Sequence, residues 1–235
     1  MADAHLVVMG GPSLAFVPAP LREAIEILPP ARRGDVERLR DERPPGRLLI
    51  VDGLFGSALA ITPTECRQLL EAGWQLYGCS SMGALRASEL WSVGMQGLGE
   101  VYAMLRSGVI CDDTEVAVAY HPDDMIEITL SLVHLRGMLR ALRRDYPPTI
   151  LQSLFCSARR LHWLERDWGS LAALWSQQLA PDHALPDLIR TLGKLAHEGR
   201  CNPKTRDAEN AIRTLLALDE LDFLAGEAHP CRLRA

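Results

Sequence analysis

Residues 73–91, G-W-Q-L-Y-G-C-S-S-M-G-A-L-R-A-S-E-L-W, decide how this chain is read. The first part is a short buried strand over 75–78, the middle a turn of small residues, and the last part a helix opening at Met82. Ser80 or Ser81 can cap that helix, because a hydroxyl accepts from the free amides of a first turn. Such amides also make a seat for an anion or a developing negative charge at the strand end. Arg86 and Glu89, three residues apart, share one face of the helix.

Working outward, two more short apolar runs precede this unit, at 5–9 and 47–51. The second is apolar without alternation, as expected of a strand covered on both faces. Helices are expected between them at 19–28, ending before Pro29-Pro30, and at 35–41 with Asp35 as cap. A further helix, started by Thr62 or Thr64, runs to Glu71 and is closed by Gly73. Strands alternating with helices indicate a parallel sheet. The expected fold is therefore α/β, a mostly parallel open sheet with flanking helices of the Rossmann-like kind, followed by a helical C-terminal region. The first domain is drawn at 1–122 and the helical one, for packing or partner binding, at 123–235.

In a parallel sheet the turns at 10–13, 52–57 and 79–83 converge at one edge, where open sheets of this class bind ligands. They bring Gly11, Ser13, Asp52, Ser80, Ser81 and Gly83 together. The turn G-G-P-S after the first strand lacks the later glycine of a dinucleotide loop, and Pro12 removes an amide that a phosphate would use. Arg32 and Arg33, between proline and glycine, are free to approach a bound anion. After a glycine-spaced turn at 94–100 comes a helix over 100–106, then an acidic cluster containing Asp112 and Asp113. That cluster lacks the periodic liganding of a calcium loop, and a solvated turn is expected there rather than a metal site. A strand is expected at 116–120, followed by His121, whose imidazole ordinarily titrates near pH ~6.5 and suits proton transfer. Beyond it the pattern is helical, at 123–144, 149–178, 185–198 and 205–224. Leu161, Leu164, Trp168, Leu171 and Trp175 form an amphipathic stripe for core or subunit packing.

The chain has 235 residues and a formal net charge of −5, which argues against broad attraction to nucleic acid or anionic membrane. It has no long apolar run suited to a membrane span and no basic-then-apolar leader, so a cytoplasmic location is expected. The six cysteines are scattered without zinc-ligand spacing and are expected to be reduced.

The run Cys79-Ser80-Ser81-Met82-Gly83 matches the end of a nucleophile-elbow pattern, with Cys79 in place of the first glycine. Ser81 is the candidate nucleophile or anion holder, with Asp52 and His121 as the nearest relay candidates by loop position. Acyl transfer, non-covalent anion binding and a purely structural turn all remain open on the residues alone.

The combination of G-C-S-S-M-G-A-L-R-A-S-E-L, G-M-Q-G-L-G-E-V-Y and D-D-T-E-V-A-V resembles the core of the TfuA-like family, and G-G-P-S-L, P-P-A-R-R-G-D and V-D-G-L-F-G fit it too. The resemblance implies an accessory protein for YcaO enzymes, which modify ribosomally made peptides and carry out backbone thioamidation. It implies release or delivery of sulfide by hydrolysing the thiocarboxylate of a small sulfur-carrier protein, or else a non-catalytic allosteric or docking subunit that activates YcaO. An unrelated small-molecule acyl hydrolase is the third reading. Implied partners are the YcaO protein, the sulfur carrier and the precursor peptide or protein, with homo-oligomerisation left open. No cofactor is expected on this chain; ATP and magnesium would belong to YcaO. Asp52, Asp35, Arg32 and Arg86 fall in segments that match the family motifs.

Overall fold

The structure is a computed structural model that describes residues 6–56, 58–178 and 185–227, the side chains of 178 and 219–227 excepted. Five parallel strands form one sheet: β1 (Val7–Met9), β2 (Glu26–Leu28), β3 (Arg47–Ile50), β4 (Gln75–Gly78) and β5 (Gln96–Gly97). Their order is β2-β1-β3-β4-β5, with Val8 opposite both Ile27 and Leu49, and Leu49 opposite Tyr77. The chain steps outward from β1 to β2, then crosses to β3 and continues the other way. The switch point thus lies at the carboxyl ends of β1 and β3.

Strand alternation explains the two layers. Val7, Met9, Leu48, Ile50 and Leu76 face one way and pack on α2 (Asp35–Glu42), α3 (Pro63–Glu71) and α4 (Met82–Leu90). Val8, Leu49, Val51 and Tyr77 face the other way, onto α1 (Ala19–Glu23) and α10 (Pro203–Glu227). α10 presents Ala208, Ala211, Ile212 and Leu215, the i, i+3, i+4, i+7 spacing that puts one helical stripe on the sheet. Between them, α6 (Leu132–Ala141), α7 (Pro148–Arg160), α8 (Trp168–Gln178) and α9 (Leu185–His197) share a separate apolar core around Trp175 and Leu154. α5 (Gly99–Arg106) joins the two through Val101, which packs with Ala84 of α4 and Val133 of α6. Among the described residues no helix is long and apolar enough to cross a membrane.

α4 lies unusually close to the sheet. A Cβ on Gly83 would stand 1.7 Å from the Ile50 carbonyl oxygen, and one on Gly78 would stand 2.0 Å from the Gly83 oxygen. Two facing glycines are what permit that approach.

The α/β reading holds, and several element boundaries differ. The expected helix at 19–28 stops at Glu23, and Glu26–Leu28 becomes the edge strand β2. Glu26 on that strand forms a two-point ion pair with Arg43, at 2.7 Å for each bond. The glycine-spaced turn contributes β5 before α5 starts. Residues 116–120 form no strand beyond a single bridge from Tyr120 to Glu127. The helix expected at 123–144 begins only at Leu132, capped by Ser131. The one expected at 149–178 breaks at Leu161, where the Arg166 side chain satisfies the freed Leu161 carbonyl. Asp35 is the first residue of α2, and its cap is Gly34 at φ +87°. His5 and Cys231 lie outside the described residues.

Candidate functional site

Three loops converge at the carboxyl edge of the sheet, and Asp52 ties the first two together. Its Oδ2 accepts from the Gly11 and Ser13 amides, each at 2.9 Å, and its Oδ1 accepts from Ser13 Oγ at 2.7 Å. Asp52 and Ser13 are both buried. A carboxylate with three donors is well satisfied, and it fixes the loop after β1 against the end of β3. Beyond the end of β1 the flanking chains meet, with Ala31 bridging Gly53.

The serine turn enters from β4. Ser80 holds φ +65°, a left-handed conformation that a non-glycine residue adopts at a cost. Its Oγ donates to the Lys204 carbonyl at 2.7 Å, so the first turn of α10 anchors it. Ser81 occupies the cap position of α4 but makes no cap bond; its hydroxyl donates at 3.3 Å to the Val116 carbonyl. Three of the amides expected to seat an anion are engaged by backbone. Ser81 N and Gly83 N both donate to the Val51 carbonyl, and Ala84 N donates to the Cys79 carbonyl. The close docking of α4 that Gly83 permits is what brings the β3 end within reach of those amides. Cys79 is fully buried, and burial pushes its thiol far above the ordinary range.

The residues expected to form a relay each take other partners. Asp52 serves the Gly11–Ser13 loop, Ser81 faces Val116, and His121 is exposed at a turn whose backbone bonds Met125 and Ile126. Arg86 donates to the Ile61 carbonyl at 2.9 Å and pairs with Glu89, which joins α4 to the start of α3. Asp112 caps a short 3-10 turn by accepting from the Thr114 amide; that bond and the Thr114 hydroxyl lower its pKa. Asp113 is exposed beside it.

Beside these loops a crevice of about 560 Å³ opens at the ends of β1 and β2. Met9, Leu28 and Pro30 form its floor, Tyr120 and Met125 its roof, and Arg32, Asp35, Arg38, Glu42 and Arg43 its polar wall. Asp35 Oδ1 is shared by Arg38 at 3.0 Å and Arg32 at 3.4 Å, while both arginines remain more than half exposed. Burial, with Asp52 nearby, raises the Tyr120 pKa, so the roof phenol stays protonated as a donor. Gly11 allows the roof to descend: a Cβ there would lie 2.6 Å from Pro30 and 3.3 Å from the Met125 sulfur. Thus Arg32 and Asp35 do meet around one cavity, with Gly11 packed against its Pro30 and Met125 walls.

A second polar group lies behind the serine turn, and sequence reasoning did not reach it. Lys204 is fully buried, and its Nζ donates to Glu127 Oε1 at 3.0 Å. His134, also buried, has its Nε2 2.9 Å from the Arg200 carbonyl. Facing a carbonyl, Nε2 carries the proton, which leaves Nδ1 an acceptor with no partner. Burial lowers the His134 pKa, and Lys204 adds to that, against Glu127 and the Arg200 carbonyl, which raise it. No local pattern marks Glu127 and Lys204, 77 residues apart.

The pKa shift sets a pH dependence. The native state keeps His134 neutral, whereas an unfolded histidine takes up a proton near pH ~6.5. The unfolded chain then binds more protons below that value, so stability is lost as pH falls from about 6.5 toward the lower native pKa. His134→Gln keeps a donor for the Arg200 carbonyl and removes the titration. Melting temperatures between pH 7 and 5 should therefore fall less steeply in the variant than in wild type; parallel curves would contradict this account.

Residues 52–167 match the family model for TfuA-like protein, a span that covers Asp52, the serine turn, the crevice roof and Glu127 but not Arg32, Asp35 or Lys204. No curated protein matches the chain. The match falls on the strand-turn-helix unit and on the segment that roofs it, just under half of the chain. Over this segment the chain is similar to the TfuA-like family.

Proposed function

We propose that this protein is a cytoplasmic accessory factor for YcaO-dependent peptide backbone thioamidation, and that it releases sulfide from the C-terminal thiocarboxylate of a small sulfur carrier. The match of residues 52–167 to the TfuA-like family model supports the association with YcaO enzymes. The observation that carries the rest is the crevice at the ends of β1 and β2, with two exposed guanidiniums flanking one carboxylate above an apolar floor. An anionic chain terminus fits that chemistry: guanidiniums hold its charge, and the floor takes the chain behind it.

The step assigned to the crevice is hydrolysis. Water adds to the thiocarboxylate carbon and the C–S bond breaks, so carboxylate and hydrogen sulfide leave in place of thiocarboxylate and water. Asp35 orients and deprotonates the water, while Arg32 and Arg38 hold the charge that develops on oxygen. The attacking group is water rather than Ser81, because the Ser81 hydroxyl is buried and bonded to the Val116 carbonyl, and the Ser81, Gly83 and Ala84 amides are engaged.

The test is sulfide release from a thiocarboxylated carrier by purified protein, with and without YcaO. Asp35→Asn should lower kcat by about 10²-fold, the smaller end of general-base effects. Arg32→Ala with Arg38→Ala should lower kcat/KM by at least about tenfold, with KM raised and kcat lowered, because the guanidiniums hold charge both on the bound terminus and on the developing oxyanion. Ser81→Ala should retain most of the rate, and a collapse there in a folded protein would return the chemistry to the serine turn. The sealed turn also favours a second reading, a non-catalytic subunit that docks on and activates YcaO. Thioamidation restored in the presence of YcaO, without release by this protein alone, would establish it.

A further inference from the structure

On the opposite side of α5 from the sheet, a groove of about 520 Å³ runs between α5, α6 and α7. Its lining is apolar: Met104 and Val109 from the α5 side, Leu139 from α6, and Leu151 and Phe155 from α7. Val109 is 52% exposed, so this surface is open to solvent. Arg136 lies over the Phe155 ring at 4.2 Å and pairs with the buried Glu115, which fixes that wall. Gly137 and Arg140 lead from the groove into a second, shallower cavity of about 430 Å³. Four guanidiniums line that cavity, from Arg140, Arg143, Arg144 and Arg206. Glu100 neutralises part of this charge by pairing with Arg140 and Arg206. Arg143 and Arg144 are exposed and form no ion pair among the described residues. A concentrated positive cavity on a chain of net charge −5 asks for an anionic partner.

We infer that the groove and the arginine cavity together form a docking site for an acidic amphipathic helix of a partner protein. Charge complementarity gives the sign: carboxylates on the flank of the incoming segment meet Arg143, Arg144 and Arg206, while its apolar face fills the groove. The helical form follows from the walls. α5, α6 and α7 have satisfied their own backbone groups, so an extended peptide would bring in amides and carbonyls with no partners, at a cost for each. A helix satisfies its backbone internally and offers apolar side chains at i, i+3, i+4 and i+7. Gly137 lies where the groove meets the arginine cavity and lets the Cys201 carbonyl close that end, 2.0 Å from where a Cβ would stand. The site is separate from the crevice, so a carrier tail and this helix could be held at once. In that respect the inference extends the proposed function by assigning a surface to the protein that receives the sulfur.

The experiment uses the full chain and a fluorescein-labelled synthetic helix with leucines at i, i+3, i+4 and i+7 and glutamates on the flanks. A second peptide carries lysines in place of the glutamates. Fluorescence anisotropy should show binding of the acidic peptide that weakens as salt rises, and at least tenfold weaker binding of the lysine peptide. Arg143→Glu with Arg144→Glu should weaken the acidic peptide at least tenfold, and Val109→Asp should weaken it on the apolar side. All three positions are exposed, so these variants should fold, and their sulfide release from the carrier should stay at the wild-type level. Equal binding of the two peptides, or undiminished binding by the variants, would overturn the docking site. YcaO should compete with the acidic peptide. Charge-dependent peptide binding that YcaO does not displace would keep the docking site and remove YcaO as its occupant, whereas loss of sulfide release in wild type alone would count only against the crevice reading.

Discussion

Gly83→Ala should lower the melting temperature by about 6–12 °C, the shift that ~3 kcal/mol produces in a domain of this size. The added methyl would stand 1.7 Å from the Ile50 carbonyl oxygen, a backbone atom in the middle of the sheet that cannot swing aside. Relief requires α4 to withdraw, which would lengthen the bonds from the Ser81 and Gly83 amides to the Val51 carbonyl. Gly78→Ala attacks the same gap from the other side, with its methyl 2.0 Å from the Gly83 oxygen. Because one displacement of the helix relieves both, the double variant should cost less than the two singles together. Gly94→Ala is the control: it holds φ +110° with nothing within 4 Å of a Cβ, so only the conformational penalty of about 1 kcal/mol applies. Equal losses at Gly83 and Gly94 in thermal or urea melts would show that close packing of α4 is not what Gly83 provides.

The same stretch shows why some of the architecture was legible and some was not. Leu48 to Val51 and the turn after Gly78 carry strong local signals, a doubly covered strand and a helix start after small residues. Three strand positions and the parallel class follow from them. β2 was hidden because Glu26-Ile27-Leu28 directly continues a helical pattern. It is a strand only because the β1 edge is there to pair with, and because Arg43 from a later helix neutralises Glu26. β5 is two residues long and half glycine, so pairing with β4 makes it a strand, not propensity. The break at 161–167 was invisible for a related reason: Arg166 gives the Leu161 carbonyl the bond that a continuous helix would have supplied itself.

At the candidate site, convergence was legible and partnership was not. Gly11, Ser13, Asp52, Ser80, Ser81 and Gly83 could be brought to one edge by topology alone. Which donor Asp52 takes, or which carbonyl Ser80 reaches, depends on loops and on α10, whose first turn returns from 124 residues away in sequence. Helix N-termini invite an anion only where their amides are free. Here the glycine that lets α4 approach the sheet also delivers the Val51 carbonyl to those amides. Thus one residue, Gly83, accounts both for the close packing and for the sealed turn.

The largest single loss is expected from Glu127→Ala, at about 3–5 kcal/mol, because it leaves a buried charge without its partner. Lys204 has no exposed surface, and its ammonium meets Glu127 at 3.0 Å. Removing the carboxylate therefore strands an ammonium in the protein interior. Lys204→Met is the milder change, since the Glu127 side chain keeps 21% of its surface exposed and can turn to water. Replacing both, Lys204→Met with Glu127→Leu, should bring stability back to within about 1 kcal/mol of wild type, because two desolvated charges give way to apolar groups of similar size. A double-mutant cycle from urea melts then isolates the coupling. A cost below ~1 kcal/mol for Glu127→Ala, in the range of exposed pairs, would mean that Lys204 reaches solvent when its partner is gone. The consequence extends to the edge of the sheet. The Lys204 carbonyl is what holds Ser80 in its left-handed turn, so a first turn of α10 displaced by an unpaired ammonium should also release the serine turn. Glu127→Ala should accordingly raise hydrogen exchange at Ser80 and Ser81, and the double replacement should restore protection.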